Sequence, residues 1–163
     1  MFIRRSVLVL AIAAAQHPQM PPGMTHDEHM QQLNERGAAA MGFDQSTTHH
    51  TFTVTPEGGL IAVSVKDAAD VKTRDQVRAH LKEIADAFAT GDFSKPFQTH
   101  AEVPPGVPVM AEKKDAIRYS YSDTPDGGRV RIRTTDARAL DAIHAFLKYQ
   151  NEEHPPQSVS RAK

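Results

Sequence analysis

Apolar residues along the chain follow two periods. Phe52 and Val54, then Ile61, Val63 and Val65, alternate with polar neighbours, which is the spacing of strands with one buried face. Ile117, Tyr119 and Tyr121, then Val130 and Ile132, repeat the pattern further on. Between the members of each pair stand Thr55-Pro56-Glu57-Gly58-Gly59 and Thr124-Pro125-Asp126-Gly127-Gly128, whose glycines are expected to supply the positive φ of a hairpin loop. Behind each hairpin the period lengthens to that of a helix. Val77, Leu81, Ile84 and Phe88 form the first stripe, opened by a Thr73/Gln76 capping box and stopped at Gly91. Leu140, Ile143 and Leu147 form the second, starting at Asp136, and Ala79-His80-Leu81-Lys82 resembles Ala145-Phe146-Leu147-Lys148.

One hairpin-helix unit cannot cover both its sheet and its helix stripe, whereas two can share a core. The expected fold class is therefore α+β. It is a duplicated β-hairpin-helix over residues 47–154, with a four-stranded antiparallel sheet and two helices on one face. Ahead of it, over residues 25–46, an N-terminal helix and linker is expected, with Thr25 and Glu28 as a capping box and a helix from about His26 to Met41. The connector from Asp92 to Asp115, with Pro96, Pro104, Pro105 and Pro108, reads as an irregular surface loop. Residues 155–163 read as a disordered tail.

The first 24 residues read differently. Arg4 and Arg5, a mostly apolar run from Ser6 to Ala15 and the small residues Ala13-Ala14-Ala15 have the layout of a secretory signal peptide cleaved after Ala15, followed by a Pro- and Gln-rich tether over 16–24. The run is shorter than the roughly 20 residues that span a bilayer, so no membrane span is expected after cleavage and the protein is expected in the periplasm or secreted. The 163 residues carry 19 Lys and Arg against 20 Asp and Glu, which gives no general attraction to nucleic acid. With no Cys, thiolate chemistry and thiolate metal sites are excluded, so an ion would be held by His, Met or carboxylate.

Met41-Gly42-Phe43-Asp44-Gln45, Thr48-His49-His50 and Pro104-Pro105-Gly106-Val107, with Gly58-Gly59 and His144-Ala145-Phe146-Leu147, resemble a family of small exported bacterial proteins. The resemblance covers roughly residues 25–154 and implies export and a shared domain. It brings no activity, substrate or cofactor.

Candidate chemistry centres on nine histidines. His50 shares parity with Phe52 and Val54, His80 stands between Val77 and Ile84, and His144 between Leu140 and Leu147, so the three are expected to point into the core. His100 on the Pro-rich connector is a fourth candidate, and His49, beside His50 but of opposite parity, a fifth. Converging imidazoles suit zinc or copper, with heme ligation less expected. A secondary soft set lies in and before the N-terminal helix: His26 and His29 with Met24 and Met30, and also His17, Met20 and Met41. The competing reading is of separate core histidines, each bonded to a backbone group.

Arg118, Arg129, Arg131 and Arg133 have outward parity on the second hairpin and offer an anion or partner surface, or a contact for a homodimer; the bland alternative is a solvated face. No nucleophile elbow, phosphate loop or dinucleotide fingerprint occurs, so the expectation leans away from an enzyme. The leading expectation is an exported metal-binding or metal-handling protein, and the alternative is a small binding module that uses the arginine face.

Overall fold

A computed structural model of the chain describes residue 23 and residues 25–154. The signal peptide, most of the tether and the tail lie outside the described residues. The fold is α+β. Helix α1 (His26–Met41) leads into strands β1 (Thr48–Thr55) and β2 (Gly58–Val65) and helix α2 (Val71–Thr90). Two short helices follow, α3 (Ser94–His100) and α4 (Val107–Glu112), and then β3 (Ile117–Thr124), β4 (Gly127–Thr134) and α5 (Ala137–Glu153). All four strands join one antiparallel sheet in the order β1-β2-β4-β3, so β2 and β4 meet at its centre. Among the described residues no helix is long and apolar enough to cross a membrane.

Local sequence explains most of the boundaries. Thr25 caps α1, its hydroxyl accepting from the Glu28 N–H while the Glu28 carboxylate accepts from the Thr25 N–H. Asp136 caps α5 through the Ala139 N–H. Helix α2 starts one turn earlier than a Thr73 cap allows, because Asp70 accepts from the Thr73 N–H. The Asp92–Asp115 connector is not irregular throughout. Pro96 and Pro108 sit in the first turns of α3 and α4, where the missing N–H has no intrahelical partner to lose.

The two hairpins interlock. Helix α2 follows β2 yet lies mainly over β3 and β4, while α5 follows β4 and lies mainly over β1 and β2. Phe88 of α2 stacks on Phe93 and meets Tyr119 of β3 edge-on, and Leu81, Val130, Ile132, Ile143, Phe146 and Leu147 complete a core that neither half owns. Each buried aromatic or branched aliphatic side chain contributes about 1.5–3 kcal/mol of hydrophobic stabilisation.

The repeated glycines serve this interlock. Each turn is Pro-Glu or Pro-Asp, and Gly58, Gly59, Gly127 and Gly128 are strand residues. Among them only Gly58 has a φ in the glycine-favouring region, +147°. A Cβ on Gly58 would come within 2.2 Å of the Ile132 carbonyl oxygen, and one on Gly127 within 2.1 Å of the Val63 carbonyl oxygen. At Gly59 and Gly128 a Cβ would press on Leu147 and Leu81, the matching leucines of the two helices. Hydrogen bonds repeat across the same junction, from the Val65 N–H to the Asp126 carbonyl at 2.9 Å and from the Thr134 N–H to the Glu57 carbonyl at 3.0 Å.

Candidate histidine pocket

Four histidines line one small apolar cavity of about 70 Å³. His50 comes from the core face of β1, His80 from α2, His100 from the end of α3 and His154 from just beyond α5. Ile61, Val63, Ile84 and Phe146 supply apolar walls, and Met41 at the end of α1 adds a thioether. Helix α3 is tied down over this region. Lys95 donates to the Ala40 carbonyl at 3.0 Å and pairs with Glu83 at 3.2 Å, and Arg36 of α1 donates to the Thr99 carbonyl at 3.1 Å.

The rings form a chain of contacts. The His154 centroid lies 5.2 Å from that of His100 and 5.9 Å from that of His50, and Phe43 touches both His50 (6.3 Å) and His80 (5.7 Å). Three ring nitrogens in this set are buried without a hydrogen-bond partner: His50 Nε2, His80 Nδ1 and His100 Nδ1. Such atoms cost about 1–3 kcal/mol each when nothing satisfies them. The His100 tautomer follows from its neighbour. Its Nε2 stands 3.2 Å from the Gln150 side-chain carbonyl, which only accepts, so Nε2–H donates and Nδ1 carries the lone pair.

Burial keeps the rings uncharged. It lowers His50 and His80 to about 4, with the charges of His80, His49 and Lys66 adding to the effect on His50 and Lys95 to that on His80. His154 falls to about 3 through burial and then through His100 and His50, and burial lowers His100 as well. Neutral imidazole is the form that binds a metal. Among the described residues, however, no three His, Asp or Glu side chains are arranged to hold an ion as they stand.

The structure brings His50, His80 and His100 of the expected set together. It does not bring His144 with them. The His144 Nε2 donates to the Thr55 carbonyl at 3.0 Å, clamping α5 onto the end of the first hairpin. Its counterpart is Arg78 of α2, which donates to the Thr124 and Gly127 carbonyls of the second hairpin at 2.7 and 3.0 Å. Aligning Ala79-His80-Leu81-Lys82 on Ala145-Phe146-Leu147-Lys148 pairs His144 with Arg78 and His80 with Phe146, so the repeat itself held the signal for this clamp. His49 is exposed on the outer face of the sheet. His17, Met20, Met24 and the side chains of His26, His29 and Met30 lie outside the described residues, whereas Met41 of that soft set belongs to the pocket.

Sequence reasoning missed His154 and Gln150. Phe146, Gln150 and His154 recur at a spacing of four, one helical stripe continued to the end of α5, and that spacing was the available signal. Comparisons with family models, with curated proteins and with solved structures find no match to this chain.

Proposed function

We propose that this is a non-catalytic metal-binding protein that takes one transition-metal ion, copper or zinc, in the histidine pocket. The observation that carries the reading is the gathering of four imidazoles around one small cavity with apolar walls, with unpartnered nitrogens on His50, His80 and His100 and with the His154 ring centroid 5.2 and 5.9 Å from those of His100 and His50. A cavity of about 70 Å³ has room for an ion and water, since about 10–15 Å³ of such space already admits one water. His50, His100 and His154 are the proposed ligands, with His80 or Met41 as a fourth. Ring rotations would bring the nitrogens to the roughly 2.0–2.1 Å of a metal–imidazole bond. The His100–Gln150 contact matches the usual second partner of a ligating histidine, a carbonyl oxygen that orients the ring. Among the residues lining the cavity there is no carboxylate, the Thr99 hydroxyl donates to the Lys95 carbonyl, and the Lys95 ammonium is held by the Ala40 carbonyl and Glu83, which supports binding over catalysis. The export signal read in residues 1–15 supports a role outside the cytoplasm, where the chain would meet such ions without competing thiols of its own.

The test is titration of the mature chain with Cu(I), Cu(II) and Zn(II), with bound metal counted by mass spectrometry after desalting. One ion per chain is expected, lost in His50→Ala, His100→Ala and His154→Ala and kept in His144→Ala and His49→Ala. Met41→Leu should weaken copper more than zinc, because thioether favours the softer ion. Failure of every ion to bind stoichiometrically, or binding indifferent to the three pocket substitutions, overturns the reading.

A further inference from the structure

Among the described residues no helix packs on the opposite face of the sheet, which has a chemistry of its own. Across the strands, its rows run Thr51–Ala62–Arg129–Ser122, Thr53–Leu60–Arg131–Ser120 and Thr55–Gly58–Arg133–Arg118. Apart from Arg118 near the start of β3, the strands on either side thus present uncharged side chains in these rows, while β4, a central strand, raises a column of three arginines. Arg118 stands directly across from Arg133, a like-charge pair that by itself disfavours the sheet. The arginines have few acceptors. Arg129 Nε donates to the Ser122 hydroxyl at 2.9 Å, Arg118 reaches only the Asp115 carbonyl at 3.5 Å, and Arg131 has no partner among the described residues. Arg133 alone meets a carboxylate, Glu57 at 3.3 Å, and both side chains are more than half exposed, so the pair contributes little. Two shallow depressions, of about 210 and 520 Å³, adjoin at Glu57 and Arg133, one reaching toward Arg131 and the other toward Arg118.

We propose that this face binds an extended acidic peptide segment of a partner protein, with carboxylates at alternate residues lying along Arg129, Arg131 and Arg133. The match is one of spacing and chemistry. Alternate side chains of an extended strand are about 6.8 Å apart, and the arginines of β4 are separated by the same two-residue step. Guanidinium forks recognise carboxylates in a bidentate, planar manner. The threonine and serine hydroxyls beside the column can donate to a peptide backbone. A nucleic-acid partner fits less well, because no Phe or Tyr points from this face to stack on bases and the near-neutral chain lacks a wide basic field. A second copy of the same face would set arginine against arginine. Glu57 acts as an internal placeholder that the incoming carboxylate displaces from Arg133.

The experiment measures fluorescence anisotropy of a labelled peptide of alternating Glu and Ser against the mature chain, beside a peptide of the same composition with its Glu residues in one block. The alternating peptide should bind more tightly, and its affinity should fall as salt rises through the physiological range. Arg131→Ala should weaken it roughly tenfold or more, Glu57→Gln should strengthen it several-fold, and Lys148→Ala, at an exposed position of α5, should leave it unchanged. Each substituted side chain on this face is exposed, and circular dichroism would establish that the variants melt as the parent does. Equal binding of the two peptides, an affinity unmoved by Arg131→Ala, or tighter binding of a sulfated oligosaccharide or single-stranded DNA overturns the proposal. None of these outcomes depends on whether the histidine pocket takes a metal.

Discussion

The two hairpin-helix halves have the same backbone plan and different chemistry. With Thr55–Gly59 laid on Thr124–Gly128, His50 takes the place of Tyr119, and with Ala79–Lys82 laid on Ala145–Lys148, His80 takes the place of Phe146. On the outer face the substitution runs the other way, with Leu60, Ala62 and Ser64 of the first half set against Arg129, Arg131 and Arg133 of the second. What the halves share is the interlock: glycines at the crossing, paired carbonyl bonds, and a clamp from each helix to the far hairpin. At these matched positions the first half has imidazoles inside and the second has fixed charge outside. The shared features hold the sheet together, and the unshared ones carry the two proposed sites.

The strongest way to break the comparison is to separate the halves. Residues 47–92 expressed alone should give an unfolded peptide by circular dichroism. A unit of that size buries too little apolar surface to offset its chain entropy, and α2 would have lost the β3–β4 surface on which it lies. A fragment that melts cooperatively would mean two self-sufficient domains. Next in size is the crossing itself. Gly58→Ala should destabilise by about 3 kcal/mol or more in chemical denaturation, since its Cβ meets backbone that cannot rotate away and its φ of +147° suits glycine. Gly128→Ala meets the side chains of Tyr121 and Leu81 at 2.9–3.2 Å and should cost less, about 1–2 kcal/mol.

Acid should distinguish His50 and His80 from the Tyr119 and Phe146 that match them. An unfolded histidine gains its proton near pH 6.5, whereas His50 and His80 in the fold refuse it down to about 4. Stability is therefore whole above about pH 6.5 and declines as pH falls from there toward 4, by about 3 kcal/mol for each independent site. His80→Phe, which copies Phe146, should flatten part of that decline in melts followed between pH 7 and 4. An unchanged slope would show that His80 is not held neutral by burial. Smallest is the clamp. His144→Ala removes one hydrogen bond and should cost about 1 kcal/mol, against about 2 kcal/mol for Arg78→Ala, which removes two from a charged donor.

The sheet and its helices were legible because alternate apolar positions and helical stripes report burial directly, and the Thr25 and Asp136 caps are local. Two kinds of information were not local. Gly58 and Gly127 stand beside a turn and look like turn residues, but what excludes a side chain there is a carbonyl on a strand of the other half. His144 has core-facing spacing, yet one-dimensional parity cannot tell a ring that enters a cavity from one that stops at the Thr55 carbonyl. The prolines of the connector suggested a loop and so hid α3, which carries His100 and Lys95 into the pocket wall. Helical phase extended to the end of α5 reaches His154, so that pocket residue was readable.

The interlock also sets an order in time. The core face of β1, among the first elements made, is covered by α5, the last helix of the described chain, and His154 at the end of that helix closes the pocket that His50 opens. A growing chain that has emerged only through β4 has an exposed sheet face and half a cavity. Maturation therefore waits for completion, and any chain cut short before α5 should present β1 and β2 as an open apolar surface prone to aggregation and attractive to chaperones and proteases.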